Sequence, residues 1–333
     1  MHVLRAGGSA VDAAIATNAA LAVVAGHSCG LGGDAFWIIW DAASGEALTL
    51  NGSGRAGGGA TIEAVRAAGH ARMPERGSWS VTVPGAVHSW GEAHRRSGRL
   101  EWAALLAPAL ELASGFPASP GWIGAIERSA EVFGDEGDWA RVYRTEDRAR
   151  APGEVVRLPA LEQTLQRLRD DGPGVAYEGS IAAATARYFA SRGVPISAAD
   201  LGAHTSAWGE PLSIGYRGLT SLSHPPNSVG VIALQTLGVL SRFDAPGPAA
   251  FDGRGWADPA WVHLGLEASR LGLVERDAYV TDLEHMAEGA VEAMLSDERC
   301  DELAGRIDSR RAMSLESGTL PAGGGTIYLT TAD

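Results

Sequence analysis

Three consecutive glycines, Gly323-Gly324-Gly325, precede a hydroxyl residue, Thr326, which opens the strand-like run Thr326-Ile327-Tyr328-Leu329-Thr330-Thr331. Glycine lets the backbone take up strained conformations, and a threonine hydroxyl beside a carbonyl held in such a conformation can attack it, giving an ester by an N-to-O shift. Hydrolysis of that ester would cut the chain between Gly325 and Thr326. The freed α-amino group, with an ordinary pKa of about 7.7–8.0, would be a built-in general base near neutral pH. Nucleophile and base would then belong to one residue. Taken as a pattern alone, a glycine-rich turn ahead of a strand carries the same letters, so the motif by itself leaves both meanings open.

The second polar cluster, His27-Ser28-Cys29-Gly30-Leu31-Gly32-Gly33-Asp34, is a backbone-dense glycine loop. Polar side chains in such loops more often hydrogen-bond the backbone than do chemistry, so His27, Ser28 and Asp34 are read as loop-holding groups. Cys29 reads as a small packed residue, because only His27 nearby could depress its pKa. Cys29 and Cys300 are the only two cysteines and lack C-x-x-C spacing, which argues against a disulfide framework, a metal site or redox chemistry.

The elements that must position these groups follow from periodicity and capping. Met1–Arg5 reads as helical turns ended by Gly7-Gly8, and Ser9-Ala10-Val11-Asp12 forms a capping box that starts an Ala-rich buried helix to about Val24. After the glycine loop, the apolar run Ala35–Trp40 is expected to be a buried strand that pairs with Glu46–Leu50 as a hairpin, with Asn51–Arg55 leaving as a flexible loop. Helical spacing recurs in Trp102-Leu105-Leu106-Ala109-Leu112 and in Leu158-Leu161-Leu165-Leu168. A second capping box lies at Ser197–Asp200, a strand is expected over Tyr216–Leu222, and a helix starts near Ser228-Val229-Gly230. Residues Glu316–Gly325 read as a small-residue linker, Thr326–Thr331 as a strand, and the breaks at Arg55–Gly59 and Ala245–Gly255 as loops within one domain.

Composition excludes several classes. The 333 residues, 45% hydrophobic, are enough for a sizeable core. A net charge of −13 repels phosphate backbones and anionic membranes, and the His94-Arg95-Arg96 cluster reads as solvated helix surface, so nucleic-acid binding is excluded. The longest apolar stretch, Ala13–Ala25, is interrupted by Thr17 and Asn18 and is too short to span a bilayer. The start lacks the pattern of a signal peptide, which favours a cytoplasmic location.

A series of motifs in order resembles the γ-glutamyltransferase (glutathione hydrolase) family of N-terminal-nucleophile hydrolases. Leu4–Ala14 is similar to that family's opening segment, His27–Phe36 to its glycine loop, and Val83-Pro84-Gly85-Ala86-Val87 to one of its turns. Pro108-Ala109 with Leu112-Ala113 and Gly115-Phe116-Pro117, Asp200-Leu201 and Pro225–Gly230 follow at similar spacing. His263–Ala268, Arg276-Asp277 and Tyr279-Val280 then resemble the helix and loop before a cleavage linker. The resemblance implies a four-layer αββα fold within the α/β class, made of a large subunit, residues 1–325, and a small subunit that starts over 326–333. It implies transfer or hydrolysis of a γ-glutamyl amide such as that of glutathione, with Thr326 as the nucleophile after self-cleavage at Gly325-Thr326, and neither metal nor organic cofactor. It places the oxyanion donors and most groups for the substrate's α-amino end on the small subunit. The expected partners are therefore a small amide substrate and that missing subunit, and the chain as written is expected to be inactive.

One position departs from the family. Where its members commonly carry an arginine for the substrate α-carboxylate, Asn51-Gly52-Ser53-Gly54-Arg55 aligns Ser53. Arg55 could swing in from the same loop, or be a solvated surface arginine. The substitution opens two alternatives: an acylase of the same fold acting on another side-chain amide such as a glutaryl group, and a catalytically dead scaffold or binding member.

Overall fold

The computed structural model describes residues 1–133, 138–144, 150–245, 247, 258–314 and 326–333. The linker expected over 316–325, Gly325 included, and most of the break at 245–255 lie outside them. The fold is mixed α/β, mostly helical, with short strands. The chain groups into two compact units: Met1–Ala35 with Asn51–Ala207 and Pro321–Asp333, and Phe36–Leu50 with Trp208–Leu320. The unit boundaries do not follow the compositional breaks, and Arg55–Gly59 is a loop inside the first unit.

The first unit is built on the Ala10–Val24 helix, whose N-terminus carries the expected capping box. Ser9 Oγ accepts from Asp12 N at 3.1 Å, and Asp12 Oδ2 accepts from Ser9 N at 2.9 Å. The same Oδ2 also takes the backbone N–H of Arg99 at 2.9 Å and of Leu100 at 3.1 Å, so one carboxylate ties the helix start to a turn 88 residues on. Small residues let the Trp102–Ser114 helix pack closely on this one, where Ile15, Ala19, Val23, Leu105, Leu106, Ala109 and Ala113 are fully buried. Trp90 fills the same core and donates from Nε1 to Asn18 Oδ1 at 3.0 Å. The Pro159–Asp171 helix packs against Trp102–Ser114, with Trp102 Nε1 donating to Leu168 O at 2.7 Å. Asp12→Ala is expected to strand three backbone donors and lower stability by roughly 3 kcal/mol or more, read as a drop in the urea midpoint. Asp12→Asn, which keeps an acceptor oxygen, should lose less.

Strands Ala35–Asp41, Glu46–Gly52 and Ala207–Gly209, most of whose residues belong to the second unit, form a sheet in that order. The first strand is not buried as expected, because Phe36, Ile38 and Trp40 point alternately to one face and are 45%, 45% and 61% exposed. A period of two sends every second side chain to the same face, so an all-apolar strand covered on one side only must expose half its residues. The strand expected over Tyr216–Leu222 is instead a hairpin, Leu212–Tyr216 and Leu219–Ser223. Arg217 and Gly218 both take positive φ, 50° and 83°, the pattern of a two-residue type I′ turn. Arg217 tolerates this because its guanidinium donates to Leu240 O and Phe243 O and lies over the Tyr216 and Trp261 rings. The Gly230–Leu240 helix packs on this hairpin and on the Pro259–Tyr279 helix.

Thr326–Thr331 does not form the expected strand. Its side chains do alternate between exposed and half-buried, as a strand's would, but strand assignment needs a ladder partner and none pairs with it among the described residues. The segment is held instead by Thr331 Oγ1 donating to Ala10 O at 2.7 Å and by the Arg99–Asp333 ion pair at 2.5 Å.

Candidate active site

The glycine loop ends where two chain segments converge on it within the first unit. Gly33 O accepts from Gly85 N at 3.1 Å and from Ala86 N at 2.9 Å, fixing the loop to the turn that starts the Ala86–Ser97 helix. Asp34 Oδ1 accepts the backbone N–H of Gly54 at 2.9 Å. Asp34 therefore does hold backbone, as a polar residue in such a loop is expected to. Partial desolvation raises its carboxyl above the usual carboxylate range, against the lowering effect of the Gly54 N–H.

The Asn51–Arg55 loop is pinned rather than flexible. Asn51 Oδ1 accepts from both Ser53 N at 2.9 Å and Ser53 Oγ at 2.7 Å, an Asx-type local closure. Arg55 O accepts from Val83 N at 2.9 Å, and Ala56 bridges Thr82. At Gly54 the fit is closest: a Cβ there would sit 1.5 Å from Val83 O, which is why glycine occupies the position.

Beneath these loops lies a cluster that the sequence does not announce. His88 Nδ1 takes the backbone N–H of Ser206 at 3.2 Å and lies 2.8 Å from Ser206 Oγ, so Nδ1 is the lone-pair nitrogen and the neutral ring's proton sits on Nε2. Tyr177 Oη donates to Pro84 O at 2.8 Å and accepts from His88 N at 2.9 Å. Its ring stacks on His204 at 5.4 Å, and His204 meets His88 edge-on at 5.1 Å. His204 is 9% exposed, and its Nε2 is buried without a hydrogen-bond partner. Burial, and then the neighbouring His88, push the His204 pKa down to about 4, and burial also lowers His88. Burial, and then the Asp34 charge, raise Tyr177, so its phenol stays a donor.

The sign of the resulting pH dependence is fixed. Unfolded, His204 titrates near 6.5, whereas folded it stays neutral down to about 4, so between these values the unfolded chain binds the extra proton. Stability is therefore full above pH 6.5 and falls as pH drops toward 4, by roughly 3 kcal/mol for this group. His204→Phe keeps the ring stacked on Tyr177, and Nε2 has no bond to lose. Urea titrations at pH 8 and pH 4.5 should show a smaller acid loss in the variant than in the parent.

The structure brings Ser53 and Arg55 together on one loop with Asp34. Ser53 is half-buried and Arg55 exposed, each with interactions of its own. Thr326 is exposed on the C-terminal segment, which is anchored to Ala10 and Arg99 through Thr331 and Asp333, and Gly325 lies outside the described residues. Cys29 is half-buried and its thiol raised by desolvation, in keeping with an unreactive thiol. His27 is lowered by burial and by Arg128, so it supplies no cation to activate that thiol. Among the described residues, no group of three or more His, Cys, Asp or Glu could hold a metal ion, and no helix is long and apolar enough to cross a membrane.

The sequence model of the family described as Gamma-glutamyltranspeptidase matches residues 1–333. The chain is 32% identical over its whole length to the glutathione hydrolase-like YwrD proenzyme of Bacillus subtilis, covering 61% of that protein. It is 35% identical, again over its whole length, to the oxamate amidohydrolase proenzyme of Klebsiella pneumoniae, covering 62% of it. The crystal structure of a cephalosporin acylase from Bacillus halodurans superposes with a TM-score of 0.86 at 35% identity, over 96% of this chain and 59% of that one. The chain thus spans about three-fifths of the length of these relatives.

Proposed function

The chain belongs to the gamma-glutamyltranspeptidase family, and from that premise we propose that it is the front part of an amide hydrolase or transferase acting on γ-glutamyl compounds of the glutathione type. The observation that carries this reading is the match of the family along all of residues 1–333, Thr326 included. In the mechanism, cleavage between Gly325 and Thr326 frees the threonine α-amine. That amine takes the proton from Thr326 Oγ as the oxygen attacks the γ-carbonyl, and passes it to the departing amine. The acyl group is left as an ester on Thr326, and water or an acceptor amine releases it, restoring the hydroxyl. Backbone donors that stabilise the oxyanion, and the groups for the substrate's α-amino end, belong to the small subunit.

Two observations support the subunit arrangement and the four-layer αββα fold that goes with it. Two of the relatives are named as proenzymes. The partly exposed face of Phe36, Ile38 and Trp40 is the kind of apolar sheet surface that a second sheet packs against, about 10 Å away. Residues 1–325 are then the large subunit and 326–333 the beginning of the small one, which the 333-residue chain needs for activity.

A second reading has a specific observation in its favour. Ser53 occupies the position where the family commonly has its carboxylate-binding arginine, and its hydroxyl is already engaged with Asn51. Such a site suits an acyl group without an α-amino acid head, as in a glutaryl amide; among the relatives, one is named for oxamate and another for cephalosporin. The test is to co-express residues 1–325 with a small subunit, or to express the extended precursor, and to compare release of a γ-glutamyl chromophore with that of a glutaryl analogue. Faster γ-glutamyl release is expected. Preference for the glutaryl substrate by about tenfold, or 1.4 kcal/mol, would transfer the assignment to the acylase reading, and turnover of neither would point to a scaffold.

A further inference from the structure

A small cavity of about 80 Å³ in the first unit lies between the Pro120–Phe133 and Asp138–Tyr143 helices and the chain at Arg150. Trp122, Ile126 and Tyr143 contribute to its apolar wall, and Arg144, Arg150 and the exposed Glu127 also line it. Two of its groups are hydrogen-bond donors that nothing among the described residues satisfies. Trp122 is 3% exposed and its Nε1–H is buried without an acceptor, and the Nε–H of Arg150 is likewise buried and unpaired. Neither group can accept, so water or a ligand that fills the space must present acceptor oxygens.

The rest of the Arg150 guanidinium says what shape those oxygens should have. Its Nη1 already donates to Glu154 Oε1 at 3.2 Å, and Glu154 Oε2 is taken by Ala151 N at 3.0 Å. Nε, the unpaired donor, shares the other edge of the guanidinium with Nη2, and such an edge is a two-pronged fork whose spacing matches the two oxygens of a carboxylate. Trp122 supplies a third donor from the apolar wall. Among the described residues, the charged groups that line the cavity or pair with its lining are Arg144 and Arg150 against Glu127 and Glu154, with Glu154 committed to Arg150, so this lining does not repel a single negative charge. We propose that this cavity binds a small aliphatic carboxylate, its oxygens on the Arg150 Nε edge and the Trp122 indole N–H and its short stem against Ile126 and Tyr143. Tyr143 Oη lies 3.1 Å from where a Cβ on Gly26 would be, which puts the occupied cavity against the residue that leads into the glycine loop.

The proposal is tested on the 333-residue chain by following indole N–H resonances in ¹H–¹⁵N spectra during a propionate titration, with total ionic strength held constant by sodium chloride. Of the 10 tryptophans, one indole should shift saturably, and that resonance should be missing in Trp122→Phe, which keeps an aromatic body without the N–H. Arg150→Lys keeps the positive charge and the ion pair with Glu154 but has no Nε, and should weaken the propionate response about tenfold or more. Propionamide, of the same shape without the charge, should give a markedly weaker response. Absence of a saturable shift, equal binding of propionamide, the same shift from chloride alone, or unchanged binding in Arg150→Lys would each overturn it.

Discussion

Replacing Thr326 with alanine, in a polypeptide extended by the C-terminal portion that the relatives carry, is expected to leave a single uncut band on a denaturing gel and to abolish amide turnover. Both results rest on one oxygen. Without the hydroxyl there is no N-to-O shift, so no new N-terminus forms and no α-amine appears to serve as base. The second chemical step then lacks its nucleophile as well. Removing a covalent nucleophile from hydrolases that work as a unit costs on the order of 10⁴-fold to 10⁶-fold in kcat, so turnover should fall into the background. Thr326→Ser, which keeps an oxygen nucleophile, should retain cleavage and measurable activity. Two bands from the alanine variant, or turnover within tenfold of the parent, would rule out this threonine as the reacting group.

Gly54→Ala is expected to have the largest effect of any glycine-to-alanine change among the described residues. The new Cβ would lie 1.5 Å from Val83 O and 2.6 Å from Val83 C, both backbone atoms that cannot swing aside. Relief requires the 53–55 loop to move away from residues 82–83, which breaks the Val83 N–H bond to Arg55 O and the Gly54 N–H bond to Asp34. Stability should drop by about 3 kcal/mol, the upper range for overpacking, measured as a fall in urea midpoint at unchanged slope. In the complete enzyme the same shift displaces Ser53 and Arg55, so KM should rise more than kcat falls if the loop contacts substrate. Gly30→Ala is the control, because a Cβ there meets nothing within 4 Å. Equal midpoints for the two variants would show that the loop at Gly54 has room that the structure does not give it.

The local elements and the candidate chemistry could be read from neighbouring residues alone. Both capping boxes, at Ser9–Asp12 and Ser197–Asp200, form as read, because a cap joins groups three residues apart and needs nothing else from the fold. The long helices at 10–24, 102–114 and 159–171 follow their apolar spacing for the same local reason, and the family was legible from motifs in order along the chain. Elements that depend on a partner across space were read less well. An apolar run, Ala35–Trp40, told that a strand would form but not that only one of its faces would be covered, and the period-two segment at 326–331 has no ladder. Two positive-φ residues at Arg217-Gly218 split an expected strand, and only the glycine was a visible signal.

The surroundings of the candidate site come from long-range packing. Asp34 meets Gly54 20 residues on, and His88 meets Ser206 across 118 residues, with Tyr177 and His204 closing the cluster between them. No spacing rule links such positions, since hydrogen bonds and ring contacts over that separation exist only once packing has brought the segments together. Desolvation has the same origin: a histidine reads identically in sequence whether it titrates at its ordinary value or, like His204, is driven to about 4, because the shift is set by the low-dielectric neighbours that folding places around it.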